Sequence, residues 1–238
     1  MIGSLAIFPD LGNATILILV SLLMYTISGI AYRWFTTILG LLAGVSMISL
    51  TAIRIIGVEK FSKIPVFGYV AKRFSAFFNP FNDLAGAGHQ LANSYYAMVN
   101  GGWFGLGLGN SIEKRGYLPE AHTDFVFSIV IEEFGFVGAS LILALLFFLI
   151  LRIILVGIRA RDPFNSMVAI GIGGMILIQV FVNIGGISGL IPSTGVTFPF
   201  LSQGGNSLLV LSVAIAFVLN IDASEKRARL FSEYDAQL

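Results

Sequence analysis

The sequence predicts an all-α, polytopic transmembrane protein. Of its 238 residues, 56% are hydrophobic and only 11% are charged, and the mean hydropathy is +0.90. A soluble domain has about 25% charged residues, so this chain has too little polar surface to cover a water-soluble body. Its apolar residues are concentrated in runs of about 20, the length at which a helix crosses a hydrocarbon core of about 30 Å.

Five such runs predict five membrane-spanning helices. They cover approximately residues 13–31, 35–53, 125–151, 167–190 and 200–221. None of the runs alternates between apolar and polar residues, as the strands of a membrane β-barrel would. The runs therefore predict one helical bundle, a single membrane domain with a long extracellular loop at about 54–123 and a tail at 222–238.

The long loop is predicted to be partly helical. Its residues Phe67, Val70, Phe74 and Phe77 recur at helical spacing, with two basic residues beside them. This pattern is typical of an amphipathic helix that lies on a membrane surface. It is equally compatible with a plain loop helix that packs on the bundle.

Basic residues predict the orientation of the chain in the membrane. Short cytoplasmic segments are enriched in Lys and Arg, whereas loops longer than about 60 residues escape this rule. We therefore expect the C-terminal tail in the cytoplasm and the long loop outside. An odd number of spans then places Met1 outside with no basic segment before it, which favours the C-terminal part of a longer protein. The basic residues in short segments are Arg33, Arg152, Arg159, Arg161, Lys226, Arg227 and Arg229.

Composition and spacing exclude several kinds of site. The chain has no cysteine, which excludes disulfides, thiolate metal sites and cysteine nucleophiles. The net charge of +1 excludes a bulk electrostatic attraction to nucleic acid. His89 and His122 fit no metal-binding spacing. The glycine-rich run 101–110 lacks the context of a nucleotide-binding loop, so we interpret it as tight turns or close backbone approaches.

Polar residues near and inside the predicted spans are the first candidates for a functional site. Asp124, Ser128 and Glu132 share one helix face, although Asp124 is also explained as a first-turn acid that favours the helix dipole. Ionisable groups inside a span usually face a cavity or a partner, which makes Glu132 a candidate cavity-facing residue. Gln179 and Asn183 share a face of the fourth span, where interhelical hydrogen bonding is the simpler interpretation and cavity lining the alternative.

Several short motifs occur in order along nearly the whole chain. They are Pro9–Gly12, the loop residues Arg73, Asn79, Pro80, Asp83, Gln90 and Ser94, the run from Gly101 to Ser111, LPEAHTDF at 118–125, and IPSTG with PFLS between 191 and 202. Each motif is weak alone, but their order and topology are specific. Together they resemble the bacterial SEDS family (FtsW, RodA and SpoVE), and the FtsW branch most.

The resemblance implies a peptidoglycan glycosyltransferase with ten spans, of which this chain carries the sixth to the tenth. Such proteins polymerise lipid II, a disaccharide-pentapeptide on undecaprenyl pyrophosphate, at the outer face of the cytoplasmic membrane. In cell division they act at the septum beside a class B penicillin-binding protein and other divisome membrane proteins. The essential extracellular acid of the family matches Asp124.

This reaction assigns roles to the matching residues. Asp124 would be the general base that deprotonates the acceptor hydroxyl. The pyrophosphate leaving group needs cationic stabilisation, for which Arg73, Lys114 and Arg115 are the candidates. A divalent cation, Mg²⁺ or Mn²⁺, could share that charge, although no ligand cluster in the sequence indicates one. The other expected substrate contacts are Gln90, Ser94, Ser111, Glu120 and His122.

Two alternatives from other functional classes stay open at this point. A lipid II flippase needs polar groups distributed through the membrane depth, whereas the acids and bases of this chain are concentrated outside its spans. A non-catalytic division scaffold is the second alternative, and it applies if the chain lacks spans that catalysis requires.

Overall fold

The computed structural model describes residues 11–29, 73, 76–82 and 88–235, together with single positions between 33 and 51. All regular structure in these ranges is helical, which confirms the predicted fold class of a membrane helical bundle. The helices are α1 (Leu11–Ile27), α2 (His89–Gly101), α3 (Val126–Arg159), α4 (Pro163–Ile187) and α5 (Gly205–Asp235), with 3₁₀ turns at Pro80–Asn82 and Glu113–Arg115.

Within the described residues, three helices are long and apolar enough to cross a membrane. They are α3, α4 and the first 26 residues of α5, and α1 is a shorter apolar helix. The predicted run 35–53 and the predicted surface helix 67–77 lie largely outside the described residues. The count of five spans therefore stays a prediction.

The helix ends differ from the predicted span limits for local reasons. The α3 helix continues past position 151 to Arg159 because the intervening residues are still apolar. The α4 helix begins early, at Pro163, since proline is favoured in the first helical turn and Asp162 caps it by accepting a hydrogen bond from the backbone N–H of Asn165 (3.0 Å). The α5 helix begins late, at Gly205, after a turn.

Glycines on α4 let the neighbouring helices approach closely. A methyl group at Gly174 would overlap the side chain of Leu23 in α1, and one at Gly173 would lie 2.8 Å from a side-chain carbon of Ile154 in α3. Small residues at such contacts are the usual means of packing helices in membranes. The α4 helix is thus held between α1 and α3, and its residue Ile176 is fully buried.

The α3 helix is interrupted at Gly135. This residue has φ 70° and ψ 178°, a conformation that is essentially restricted to glycine. The break leaves the next two backbone N–H groups without partners inside the helix. Phe136 donates instead to the carbonyl of Gly102 (2.9 Å), and Val137 donates to the carbonyl of Trp103 (3.1 Å).

The glycine-rich run also satisfies the carbonyls on the other side of this break. The N–H of Leu106 donates to the carbonyl of Glu132, and the N–H of Gly107 donates to that of Glu133, both at 2.9 Å. Gly105 has φ +78°, and a methyl group there would overlap the carbonyl of Glu133. The glycines therefore serve a close backbone approach, in agreement with the interpretation from sequence.

We predict that Gly105→Ala destabilises the protein far more than Gly109→Ala. Both glycines have positive φ, which costs alanine about 1–2 kcal/mol. Only Gly105 faces a backbone that a methyl group would overlap, whereas Gly109 faces open space. Overpacking typically adds about 1–3 kcal/mol. Free energies of unfolding in detergent micelles measure the difference, and equal losses for the two variants would contradict this role of the run.

Candidate functional site

A small pocket beside the first turn of α3 brings together several residues of the predicted site. Asp124, Arg73, Gln90 and Asn183 line it, and the segment 193–196 closes one side. Its volume is ≈ 20 Å³, enough for about one water molecule. The sequence placed these residues in separate motifs and spans, and the fold makes them neighbours.

Asn183 fixes the backbone of Asp124. Its Nδ2 group donates to the carbonyl of Asp124 (2.7 Å) and to the carbonyl of Val196 (2.6 Å). Asn183 is itself buried in α4, so its position is set by the helix packing. One amide therefore joins α4, the segment before α3 and the segment before α5.

The residues before Asp124 form a tight turn, which is also held by a hydrogen bond from the segment before α5. Glu120 adopts φ 55°, and its carbonyl accepts hydrogen bonds from the N–H groups of Thr123 (3.1 Å) and Phe125 (3.3 Å). The hydroxyl of Ser202 donates to the carbonyl of Thr123 (2.7 Å). Asp124 thus has a fixed backbone on both sides, while its side chain lines the pocket.

Arg73 faces the same pocket. Its Nη1 group donates to the carbonyl of Ser193. Gly195 has φ +76°, and a methyl group on it would lie 3.2 Å from Nη2 of Arg73 and 3.4 Å from Oδ2 of Asp124. The guanidinium and the carboxylate therefore border the same glycine. This arrangement places a cation beside a carboxylate, and such a pair can stabilise negative charge and accept a proton in the same pocket.

Sequence reasoning missed parts of this site. It named Asn183 as a residue of an interhelical face or a cavity lining but not as the donor that holds the Asp124 backbone, and it gave no role to Ser193, Gly195 or Ser202. The motifs IPSTG and PFLS contain the last three residues, so their presence was visible in the sequence. Their roles depend on backbone carbonyls that are distant along the chain, and no residue pattern indicates those.

Ser94 lies outside the pocket, in the packing between helices. Its hydroxyl is buried and hydrogen-bonded to that of Ser128 (2.8 Å), and it donates to the carbonyl of Ile187 (3.3 Å). The contacts join α2, α3 and α4. Ser94 therefore stabilises the framework of the site in this structure and does not line the pocket.

Glu132 does not face a cavity, which corrects the expectation from sequence. Its side chain is fully buried and accepts hydrogen bonds from Ser111 Oγ, from the N–H groups of Ile112 (3.1 Å) and Glu113 (3.5 Å), and from Asn100 Nδ2 (3.4 Å). The loop lies against this part of the helix, since the N–H groups of Leu106 and Gly107 donate to the carbonyls of Glu132 and Glu133. Glu132 thus organises the loop at 111–113, and Ser111 is one of its donors.

The remaining predicted contacts do not line the pocket of Asp124. Lys114 forms an ion pair with Glu133, and Arg115 is exposed. Glu120 and His122 are exposed as well; the carbonyl of Glu120 accepts hydrogen bonds within the local turn, and that of His122 accepts one from the N–H of Gln203 (2.8 Å). The structure therefore brings only Arg73, among the three candidate cations, into the pocket of Asp124.

A second and wider groove adjoins this pocket. Gln179 lines it together with Asn13 of α1 and Asn206 of α5, and its volume is ≈ 430 Å³. Gly195 and Val196 line both the groove and the pocket. The groove lies between α1, α4 and α5, and Gln179, for which the sequence left helix packing and cavity lining open, is part of its lining.

The described residues contain no group of three or more His, Asp or Glu side chains that could hold a metal ion. The pocket of Asp124 instead combines one carboxylate with the guanidinium of Arg73 and the amides of Gln90 and Asn183. This set does not fit a divalent cation held by protein ligands alone, since Mg²⁺ and Mn²⁺ prefer several oxygen ligands.

Glu113 provides a pH-dependent probe of the loop. Burial raises the pKa of its carboxyl group above the usual value, the nearby charge of Glu132 raises it further, and His89 opposes these effects. Its Oε2 atom is buried and accepts no hydrogen bond from the described residues. A raised pKa in the folded state means that stability falls as pH rises from the unfolded pKa through the folded one.

We therefore expect Glu113→Gln to stabilise the protein at pH 7.5 and to stabilise it progressively less as the pH falls through the carboxyl range, because the raised pKa makes the folded protein take up the proton first. Melting temperatures of both proteins across this range, in the same detergent, measure the effect. A stability difference that does not vary with pH would contradict it. Glu120→Gln is the matched control, because Glu120 is exposed.

Comparison with known proteins identifies the family. Residues 1–227 match the family model FTSW_RODA_SPOVE, described as "Cell cycle protein". The chain is 58% identical over 221 residues to the "Probable peptidoglycan glycosyltransferase FtsW" of Lactococcus lactis subsp. lactis (93% of this chain, 53% of the relative). It is 41% identical to the "Stage V sporulation protein E" of Bacillus subtilis (90% and 54%).

A solved structure has the same fold. It is described as "Structural coordination of polymerization and crosslinking by a peptidoglycan synthase complex", and it matches with a TM-score of 0.69 and 25% identity over 94% of this chain and 59% of that one. The chain thus spans about half the length of the curated relatives it matches. The family match covers nearly the whole chain, and the protein therefore belongs to the FtsW/RodA/SpoVE family of membrane proteins.

Proposed function

We propose that this chain carries the catalytic site of a peptidoglycan glycosyltransferase that polymerises lipid II. The observation that carries the proposal is the pairing of the Asp124 carboxylate with the Arg73 guanidinium around Gly195. The names of the relatives support the reaction class. The proposal places the pocket at the outer face of the cytoplasmic membrane, because the basic turn 152–161 lies toward the other end of α3.

Asp124 acts as the general base. Its carboxylate accepts the proton of the 4-hydroxyl group of the acceptor sugar while that oxygen attacks the anomeric carbon of the donor. The new glycosidic bond forms as the bond between the anomeric carbon and the pyrophosphate oxygen breaks, and the undecaprenyl pyrophosphate leaves as an anion. A positioned base of this kind contributes about 10²–10⁴-fold to the rate.

Arg73 stabilises the charge on the leaving pyrophosphate. A guanidinium binds phosphate oxygens through two parallel hydrogen bonds, and the contact with Ser193 orients this one toward the pocket. Lys114 and Arg115 are assigned no role in this step, since they lie outside the pocket. No step is assigned to a divalent cation either.

The lipid tail of the substrate occupies the groove beside the pocket. The two cavities share Gly195 and Val196, so a lipid in the groove has its headgroup beside the pocket, with the reacting hydroxyl at Asp124. The groove lies against three apolar helices, and Gln179 provides a polar group near its sugar end. A polyprenyl chain is suited to such a site because it stays out of water.

Partners and location follow from the family. The solved relative is a peptidoglycan synthase complex that coordinates polymerisation and crosslinking. We propose that this protein likewise acts with a class B penicillin-binding protein and other divisome proteins, at the division septum. Its multi-pass helices place it in the membrane, and the proposed orientation has the C-terminus in the cytoplasm.

We predict that Asp124→Asn abolishes polymerisation and leaves folding intact. Asparagine preserves the size of the side chain and the backbone contact with Asn183, but it cannot accept the hydroxyl proton. The rate should fall by about 10²–10⁴-fold. The measurement is the rate and length of glycan made from purified lipid II, with a class B penicillin-binding protein present and no other glycosyltransferase.

Glu120→Gln is the control for this variant, because it removes an equally negative but exposed carboxylate four residues earlier. It should retain most of the activity. Wild-type rates in Asp124→Asn would end the general-base assignment. Transport of lipid II across vesicles without polymer formation would favour the flippase, and neither activity in the wild-type protein would favour the scaffold.

We further predict that Gly195→Ala lowers the turnover number much more than Gly116→Ala does, while the two variants lower the melting temperature by similar amounts. The added methyl group would press on Arg73 and Asp124, since both lie within 3.4 Å of it. Gly116→Ala is the matched control, because Gly116 also has positive φ but faces open space. Turnover numbers and melting temperatures of both variants separate the two effects. Equal turnover in the two variants would contradict the shared-glycine geometry.

A further inference from the structure

A cavity lies between α3 and α5, near the ends of these helices that are remote from Asp124. Its volume is ≈ 90 Å³, the space of about three water molecules. The charged side chains that line it are Arg152, Arg159, Lys226, Arg229, Asp222 and Glu225. The four bases exceed the two acids by two positive charges, which favours an anionic occupant.

Both acidic side chains already have partners in the protein, so the uncompensated positive charge lies on the α3 side of the cavity. Asp222 forms an ion pair with Lys226 (2.6 Å), and Oε1 of Glu225 accepts a hydrogen bond from the backbone N–H of Arg161 (3.1 Å). Arg152 and Arg159 form no ion pair with any of the described residues. These two guanidinium groups on α3 are therefore the cations offered to an anion.

The cavity is held open by a contact between its two helices. The Nη2 group of Arg229 in α5 donates to the carbonyl of Arg159 at the end of α3 (2.8 Å). This bond satisfies one of the carbonyls that a helix leaves unpaired at its C-terminus. It also fixes the distance between the two helix ends, so the basic side chains do not need to assemble when an anion binds.

One buried acceptor in this cavity has no donor. The Oε2 atom of Glu225 is buried and receives no hydrogen bond from the described residues. An unsatisfied buried acceptor is destabilising, and more so when it is charged, so a bound group that carries a hydroxyl donor would be stabilised there. The cavity is therefore suited to a phosphate-like anion that carries a hydroxyl group close to its charge.

The cavity lies at the ends of two membrane-spanning helices that the proposed orientation places toward the cytoplasm. From the break at Gly135 to Arg152 the helix rises about 26 Å, and to Arg159 about 36 Å, at about 1.5 Å per residue. Residues 222–229 lie equally far from Gly205 along α5. A hydrocarbon core is about 30 Å thick, so a core that begins level with Gly135 and Gly205 ends within the length of the cavity, where lipid headgroups lie.

We infer that this cavity binds the headgroup of an anionic phospholipid, with the phosphodiester against Arg152 and Arg159 and a headgroup hydroxyl at Glu225. Leu155 and Val156 complete the lining and contact the start of an acyl chain. Basic pockets between membrane helices are suited to such headgroups. The inference does not depend on the proposed glycosyltransferase activity, because it concerns the opposite end of the bundle.

The first test measures lipid binding to the purified protein in a neutral detergent by native mass spectrometry. Phosphatidylglycerol should bind at least about tenfold more tightly than phosphatidylcholine, and the double variant Arg152→Gln/Arg159→Gln should lose that preference. The matched control Arg161→Gln/Arg227→Gln removes the same charge from side chains that do not line the cavity, and it should retain the preference. Equal binding of the two lipids by the wild-type protein would overturn the inference without any variant.

Further measurements separate the remaining explanations. An equal loss in both double variants would show bulk charge attraction and overturn the site. Displacement of phosphatidylglycerol by inorganic phosphate at similar concentration would show that a free anion is the occupant and overturn the lipid assignment. Phosphatidylmethanol, which lacks the headgroup hydroxyl, should bind several-fold more weakly than phosphatidylglycerol, and Glu225→Ala should remove this difference. Equal binding of these two lipids by the wild-type protein would overturn the role of Glu225.

Discussion

The amide of Asn183 is the interaction on which the arrangement of the site depends. Its two hydrogen bonds hold the carbonyls of Asp124 and Val196 at 2.7 and 2.6 Å, which joins three segments that are far apart in the sequence. Asn183 is buried, so the N–H groups of its amide find their hydrogen-bond partners within the protein. The backbone position of Asp124 is thus a consequence of helix packing, and its side chain lines the pocket.

The break in α3 also helps to hold the site in place, because it anchors the loop between α2 and α3. Because Gly135 frees backbone groups on both sides, the glycine-rich run can pair with them and cross the helix closely. The buried carboxylate of Glu132 then binds the loop at 111–113. The loop between α2 and α3 is therefore anchored to the bundle through backbone groups and one carboxylate. A loop anchored in this way restricts the movement of the turn that precedes Asp124.

The sequence predicted the class of fold and named Asp124 and Arg73 as candidates, but it did not predict which residues are neighbours. Apolar runs were sufficient for the bundle because they are local, whereas the ordered motifs named Arg73 only as one of three candidate cations. Glu132 was predicted to face a cavity because helical spacing gives no information about the loop groups that bind its carboxylate. Lys114 was indistinguishable from Arg73 as a loop cation until Glu133 was seen beside it. Contacts to backbone carbonyls, such as those of Asn183 and Ser202, have no signature in residue type.

The central claim is that Asp124 is a base held at a fixed distance from the acceptor hydroxyl. It is tested most directly by the pH dependence of lipid II polymerisation by the wild-type protein and by Asp124→Glu, which keeps the carboxylate and moves it by about one bond length. Both rates should fall as the carboxylate becomes protonated at low pH. At the plateau, Asp124→Glu should have a turnover number about 10²-fold lower than the wild-type protein, with a similar KM. A wild-type turnover for Asp124→Glu, or a rate that does not change as pH falls through the carboxyl range, would contradict it.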